Sequence, residues 1–282
     1  MKTCRREVEV VIISDVHLGT YGCKAKQLYQ YLKGIKPKTL VLNGDIVDIW
    51  QFSKRYWPKA HMKVIRQIIG FVVEGTEVIY ITGNHDEMMR KFAGSAMGNF
   101  SIVNQTELKL GDKKAWVFHG DVFDMTVRHS RWIAKMGANG YGLLILLNRF
   151  CNYVLGLFGR GPYSFSKRIK DGVKKAGKAK QGFIRTAAES ALAQQYDYVI
   201  CGHLHHPEVL DCELDGNTVT YLNSGDWVEN MSSLEHNDGE WQIYRYGESV
   251  PVSEAAEDVQ EEDLTDRQLY FTLLQEFSVL HV

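Results

Sequence analysis

The chain alternates short, almost wholly apolar runs with amphipathic stretches, and most of the apolar runs end in a small cluster of polar residues. Val8 to Ser14 is β-branched and apolar, the pattern of a strand buried on both faces. Lys24 to Lys33 places Leu28, Tyr31 and Leu32 on one helical face. Thr39 to Asn43 predicts a second buried strand, the stretch from about His61 to Val73 a second helix, and Glu77 to Thr82 a third strand. This order of strand, helix and strand predicts an α/β fold with a parallel-rich sheet. Glu107 to Leu110 and Ala115 to Phe118 read as a hairpin turning at Gly111-Asp112. Val209 to Leu214 and Thr218 to Leu222 read as a second, turning at Asp215-Gly216-Asn217. From Met125 to about Gln195 the pattern is helical; Tyr198 to Cys201 and Trp241 to Tyr246 return to strand. Glu254 to Asp263 is acidic and poorly apolar, a solvated linker leading to a short amphipathic helix around Leu269 to Phe277.

A chain of 282 residues accommodates one α/β domain with an insertion. The expected division is a domain over 1–250, an insertion over about 125–195, and the linker and helix over 251–282. Five cysteines without Cys-x-x-Cys spacing predict reduced thiols in a cytosol rather than a disulfide framework. The start of the chain is basic, but the apolar stretch Val10 to Ile13 is too short for a signal peptide and runs straight into Asp15. The longest apolar run, Tyr141 to Phe158, is broken by Asn148, Arg149 and Asn152, so no membrane span is expected.

The chemistry lies in five clusters at strand ends: Asp15-Val16-His17, Gly44-Asp45, Gly83-Asn84-His85-Asp86, His119-Gly120-Asp121 and Gly202-His203-Leu204-His205. In parallel sheets the loops beyond the carboxyl ends of strands are where sites are built. Carboxylates, one carboxamide and several imidazoles form the donor set that two divalent ions need, about four protein ligands each with one carboxylate shared. Asp15 and His17, two apart in an extended turn, reach one ion. Asp45 is the candidate bridge, Asn84 a neutral oxygen ligand, His119 and His203 complete the second ion and His205 the first. The mixed oxygen and nitrogen set favours Mn²⁺, Fe²⁺ or Zn²⁺ over Ca²⁺, with Mn²⁺ placed first. Asp48, Asp86 and Asp121 are expected beside the imidazoles as orienting partners. His61, His129, His236 and His281 read as ordinary polar residues.

These clusters, in this order, resemble the signature of calcineurin-like metallophosphoesterases: D-x-H, G-D-x-x-D, G-N-H-[DE], H-G-D and G-H-x-H. The resemblance implies a four-layer α/β/β/α sandwich and hydrolysis of a phosphoester by in-line attack on phosphorus. It also implies that His85, with Asp86 beside it, serves catalysis by assisting the leaving group or the charge at phosphorus.

Between His119 and His203 the sequence carries a message about substrate. The apolar run Tyr141 to Phe158 precedes Arg160 to Arg185, which holds nine basic residues against one acid, Asp171. An apolar helix followed by a basic one suits an acylated phosphate or an anionic bilayer surface. A helical cap with a solvated basic face is the plainer reading. A nucleic-acid surface is the third; there, aromatics would interleave with the charges, whereas these cluster in the apolar part.

The insertion, with Asn223 to Asn230 containing Gly225-Asp226-Trp227, is similar to the UDP-2,3-diacylglucosamine diphosphatases of lipid A assembly. That resemblance implies a helical lid, and cleavage of UDP-2,3-diacylglucosamine to UMP and 2,3-diacylglucosamine 1-phosphate. It implies acyl chains sheltered by Tyr141 to Phe158, and phosphate bound by basic residues such as Arg160, Lys167, Arg168, Lys175 and Lys178. The partner is then a nucleotide-linked acylated sugar and not a nucleic acid, and the place of work is cytoplasmic, peripheral on the inner membrane. The best-known of those enzymes carry Arg where this chain has His85.

Overall fold

The computed structural model describes residues 5–49, 56–123 and 166–248, the stretch 166–178 as helical backbone. The insertion as far as 165, including Arg160, and the segment 251–282 lie outside the described residues.

Two sheets form the framework. The first has seven strands: β1 (Arg6–Ile13), β2 (Ile35–Asn43), β3 (Glu77–Ile81), β4 (Ser95–Met97), β5 (Phe100–Val103), β11 (Ser232–Asn237) and β12 (Glu240–Arg245). Their order is β12-β11-β1-β2-β3-β5-β4, with β1, β2, β3 and β5 parallel. The second has five strands: β6 (Gln105–Leu110), β7 (Lys113–Phe118), β8 (Tyr198–Cys201), β9 (Glu208–Leu214) and β10 (Asn217–Asn223). Their order is β6-β7-β8-β10-β9, with β7, β8 and β10 parallel at the centre. Helices α1 (Ala25–Gly34), α2 (Lys59–Val73) and α3 (Ser166–Ala193) complete the described elements, with two short 3₁₀ turns at Glu87–Phe92 and Asp121–Phe123.

Side-chain alternation along the strands sorts the core into three clusters, and these define four layers. Val11, Ile13, Leu40, Leu42, Val78 and Tyr80 face Leu28, Leu32, Val64 and Phe71 of α1 and α2. Their neighbours Val10, Ile12, Val41, Ile79 and Ile81 face Ala115, Val117, Tyr198, Ile200 and Leu222 of the other sheet. On that sheet's far side Trp116, Phe118, Val199, Cys201 and Tyr221 meet Phe183, Ile184, Ala187, Ala188 and Ala191 of α3. A period of two on every central strand therefore produces the α/β/β/α sandwich that the resemblance implied. Of the helical pattern expected from Met125 to about Gln195, the described part is α3, whose final turns form the outermost layer.

Three strands escaped the sequence reading. β4 is short and exposed and β5 short and half-buried, so neither carries a long apolar run. β11 reads as polar, Ser232-Ser233-Leu234-Glu235-His236-Asn237, yet it is buried between β1 and β12. Its acid is matched rather than exposed: Arg6 donates to both oxygens of Glu235 at 2.5 and 2.7 Å, and the Tyr31 hydroxyl donates at 2.7 Å. A buried charge met by a bidentate guanidinium and a hydroxyl is tolerable where an unpaired one is not.

Candidate metal centre

The loops that follow β1 and β2 are knitted by backbone hydrogen bonds: Asp15 N–H to Gly44 O, His17 N–H to Asp45 O, and Asp48 N–H to Leu18 O. The second sheet joins them, with His203 N–H donating to Asp15 Oδ2 at 3.0 Å. Nine non-glycine residues have positive φ among the described residues, and five are candidate ligands: Asp15, His17, Asp45, His203 and His205. Such backbone is costly for residues with a Cβ and persists where the surroundings over-determine it, which is typical of sites. Two glycines make room. A Cβ on Gly44 (φ +78°) would fall 2.3 Å from His119 Nδ1, and one on Gly83 would fall 2.2 Å from Asp45 Oδ1.

These loops bring the acids and imidazoles together. Asp15, His17 and His205 form one set, and Asp15, Asp45 and His119 another; within each set the ligand atoms lie within 4.8 Å of one another. Asp15 belongs to both, so Asp15 as well as Asp45 is placed to be shared. His203 stands beside His119, with ring centroids 5.3 Å apart. Asp15 Oδ1, His17 Nε2, Asn84 Oδ1 and His119 Nε2 are buried and have no hydrogen-bond partner. Buried polar atoms are nearly always satisfied, so four such atoms on converging loops fit a pair of divalent cations.

The remaining atoms of these side chains are held from behind. His119 Nδ1 donates to Asn43 O at 2.9 Å, which leaves the Nε2 lone pair for a metal. Asp48, wholly buried, meets His17 Nδ1 at 3.2 Å and His85 Nδ1 at 2.8 Å. Asp226 lies 3.7 Å from His205 Nδ1, and its other oxygen caps the turn of Val228, Glu229 and Asn230 N–H.

Electrostatics agree with a cation site. Burial alone would push the His119 imidazole down, but the charge of Asp45 outweighs it and carries the pKa to about 10. In the same way Asp15 and Asp226 carry His205 to about 9 against burial. Burial would raise the Asp45 carboxyl, yet His119 holds it well below the usual carboxylate range. Without metal, protons on the imidazoles thus balance the buried acids, and metal must displace them.

Two expectations are corrected. Asp86 touches no imidazole: its oxygens accept from Gly83 N–H (2.6 Å), Ile46 N–H (3.0 Å) and the Tyr80 hydroxyl (2.5 Å). It joins the loops after β2 and β3. Asp121 pairs with Arg90 at 2.6 Å instead of orienting a histidine. Three further residues had no role at the site in the sequence reading: Asp226, noted only within Gly225-Asp226-Trp227, Arg90, and His61, read as an ordinary polar residue. His61 accepts Gly19 N–H at Nδ1 (3.0 Å), and burial lowers its pKa to about 4, keeping it a neutral acceptor behind the His17 loop. Of the basic residues named for phosphate, Lys167, Arg168, Lys175 and Lys178 fall on the helical backbone of α3. Nearer its end Lys180 pairs with Glu208 (2.9 Å) and Arg185 with Glu189 (2.7 Å).

Carboxylate and imidazole sets gathered at the strand ends of a four-layer sandwich define a binuclear, metal-dependent hydrolase of phosphoesters. The chain belongs to the calcineurin-like phosphoesterase family, which it matches over residues 8–207. It is similar to the UDP-2,3-diacylglucosamine hydrolase of Aeromonas salmonicida (strain A449), 22% identical over 253 residues, covering 84% of this chain and 92% of the relative. It is also similar to the UDP-2,3-diacylglucosamine hydrolase of Porphyromonas gingivalis, 25% identical and covering 78% and 90% of the two chains. Solved structures that it resembles include YfcE, a phosphoesterase from E. coli (TM-score 0.42, 14% identity, 86% and 94% covered). Another is a Vps29 variant from Entamoeba histolytica (TM-score 0.39, 15% identity, 84% and 97% covered). Among the described residues no helix is long and apolar enough to cross a membrane.

Proposed function

We propose that the protein cleaves the diphosphate of UDP-2,3-diacylglucosamine, giving UMP and 2,3-diacylglucosamine 1-phosphate, with two divalent ions of which Mn²⁺ is favoured over Fe²⁺ or Zn²⁺. The observation that carries the reaction class is the convergence of four buried ligand atoms without hydrogen-bond partners. The substrate is supported by curated relatives of that name that align with most of this chain.

Bound ions supply Lewis acidity at phosphorus and a lowered pKa for water. Asp15, His17 and His205 would hold one ion and Asn84, His119 and His203 the other, with the carboxylates of Asp45 and Asp15 set between them. His85 has its Nδ1 fixed by Asp48 and its pKa raised by that bond and by Asp45 against burial. Its Nε2–H then serves the leaving oxygen. Asp86 acts by holding the loops. Arg160, Lys167, Arg168, Lys175 and Lys178 are the proposed phosphate contacts, and the run 141–158, outside the described residues, the proposed shelter for acyl chains. This reading places the protein at the cytoplasmic face of the inner membrane, bound peripherally.

A second reading rests on His85, which stands where the best-known diacylglucosamine enzymes have Arg. It makes the protein a soluble phosphodiesterase or phosphatase for a nucleotide or another phosphoester. Comparing kcat/KM for UDP-2,3-diacylglucosamine and for unacylated UDP-sugars separates the two. Burial of acyl methylenes predicts a preference of at least about tenfold for the acylated substrate. Equal rates contradict the leading reading and favour the second.

A further inference from the structure

Arg90 sits on the 3₁₀ turn Glu87–Phe92, directly after the loop that carries Asn84 and His85. Its Nη2 donates to Asp121 Oδ2 at 2.6 Å and to Gly83 O at 3.4 Å. Gly83 abuts the carboxylate of Asp45, and Asp121 follows His119 by two residues. The guanidinium therefore spans the seam between the loop of the first sheet and the loop of the second, beside the metal centre. Both hydrogen bonds leave through Nη2, while Nε is buried with no partner. The Arg90 side chain is 37% exposed against 12% for Asp121, so its outer edge faces solvent.

We infer that Arg90 binds the phosphoryl group that is not attacked, and so selects substrates with two adjoining phosphoryl groups over those with one. A diphosphate brings a second charged phosphoryl beside the one the metals engage, and Arg90 is a cation held at the seam of the two loops that carry the centre. With Nη2 committed and Nε buried, the Nη1 edge of the guanidinium is the one that can donate to a phosphoryl oxygen. The inference deepens the proposed function and rests on it for the diphosphate, since a monoester or simple diester gives Arg90 nothing to hold.

The test is calorimetric binding of UMP and of UDP to the metal-loaded protein, with metal content measured alongside. The wild type is expected to bind UDP about tenfold or more tighter than UMP, the scale of one charge-assisted hydrogen bond. Arg90→Met is expected to collapse that ratio towards one with both metals retained, and Arg90→Lys to recover part of it. Asp121→Asn frees the guanidinium and is expected to keep or widen the preference. An Arg90→Met protein with the wild-type ratio overturns the inference. So does loss of metal or of the ratio in Arg90→Met and Asp121→Asn alike, because the pair is then a scaffold for the two loops. A wild-type ratio near one overturns it whatever happens to the lipid-linked substrate. Failure to hydrolyse UDP-2,3-diacylglucosamine with the UDP preference intact upholds this inference and removes the substrate reading instead.

Discussion

Asp45→Ala is expected to strip the centre of metal and to lower turnover of bis(p-nitrophenyl) phosphate by at least about 10³-fold. Asp45 is buried, accepts His85 N–H at 2.8 Å and lies 3.3 Å from His119 Nε2, so one side chain touches the loops of both sheets. Its removal takes away one of the two carboxylates grouped with His119 and frees the His85 loop from the loop after β2. His119→Ala is expected to do the same from the other side, because no other imidazole is backed by Asn43 O. Metal analysis of the purified variants and the generic diester assay measure both effects. Retained metal with near-normal turnover in either variant would place the centre elsewhere.

His85→Ala is the second large effect, of a different kind: metal content unchanged and kcat lower by about 10²- to 10⁴-fold, the range for a lost acid or base. His85 shares Asp48 with His17 and meets the His17 ring edge-on at 4.7 Å, so it is close enough to serve the reaction. It belongs to a set with His17 and Asp48 that shares His17 with the set of Asp15 and His205. Should metal leave together with rate, His85 is a ligand and its assignment to the leaving group fails.

β1, β2, β3 and β8 were legible in the sequence as uninterrupted apolar runs, because burial on both faces leaves no other pattern, and β6, β7, β9, β10 and β12 were legible as two hairpins and a closing strand. β11 was illegible for the opposite reason: its polar residues are buried by partners such as Arg6 and Tyr31 that lie far away in the chain. The ligands were legible as residue types at strand ends, since metal chemistry restricts them to a few side chains. What supports them was not. Asp226 reaches His205 only through the turn after β10, His61 reaches Gly19 from the face of α2, and Arg90 meets Asp121 across the two sheets. Asp86 was placed with the catalytic groups because it adjoins His85 in sequence, and its hydrogen bonds show that adjacency there means bracing the loop.

The account stands most directly on the number of metal ions that activity requires. Metal-free protein titrated with Mn²⁺ and assayed with bis(p-nitrophenyl) phosphate should gain turnover up to two equivalents per chain, with two ions found by elemental analysis at the plateau. Full activity with no ion or with one, or neither metal nor turnover in the wild-type protein, would contradict a two-metal phosphoesterase.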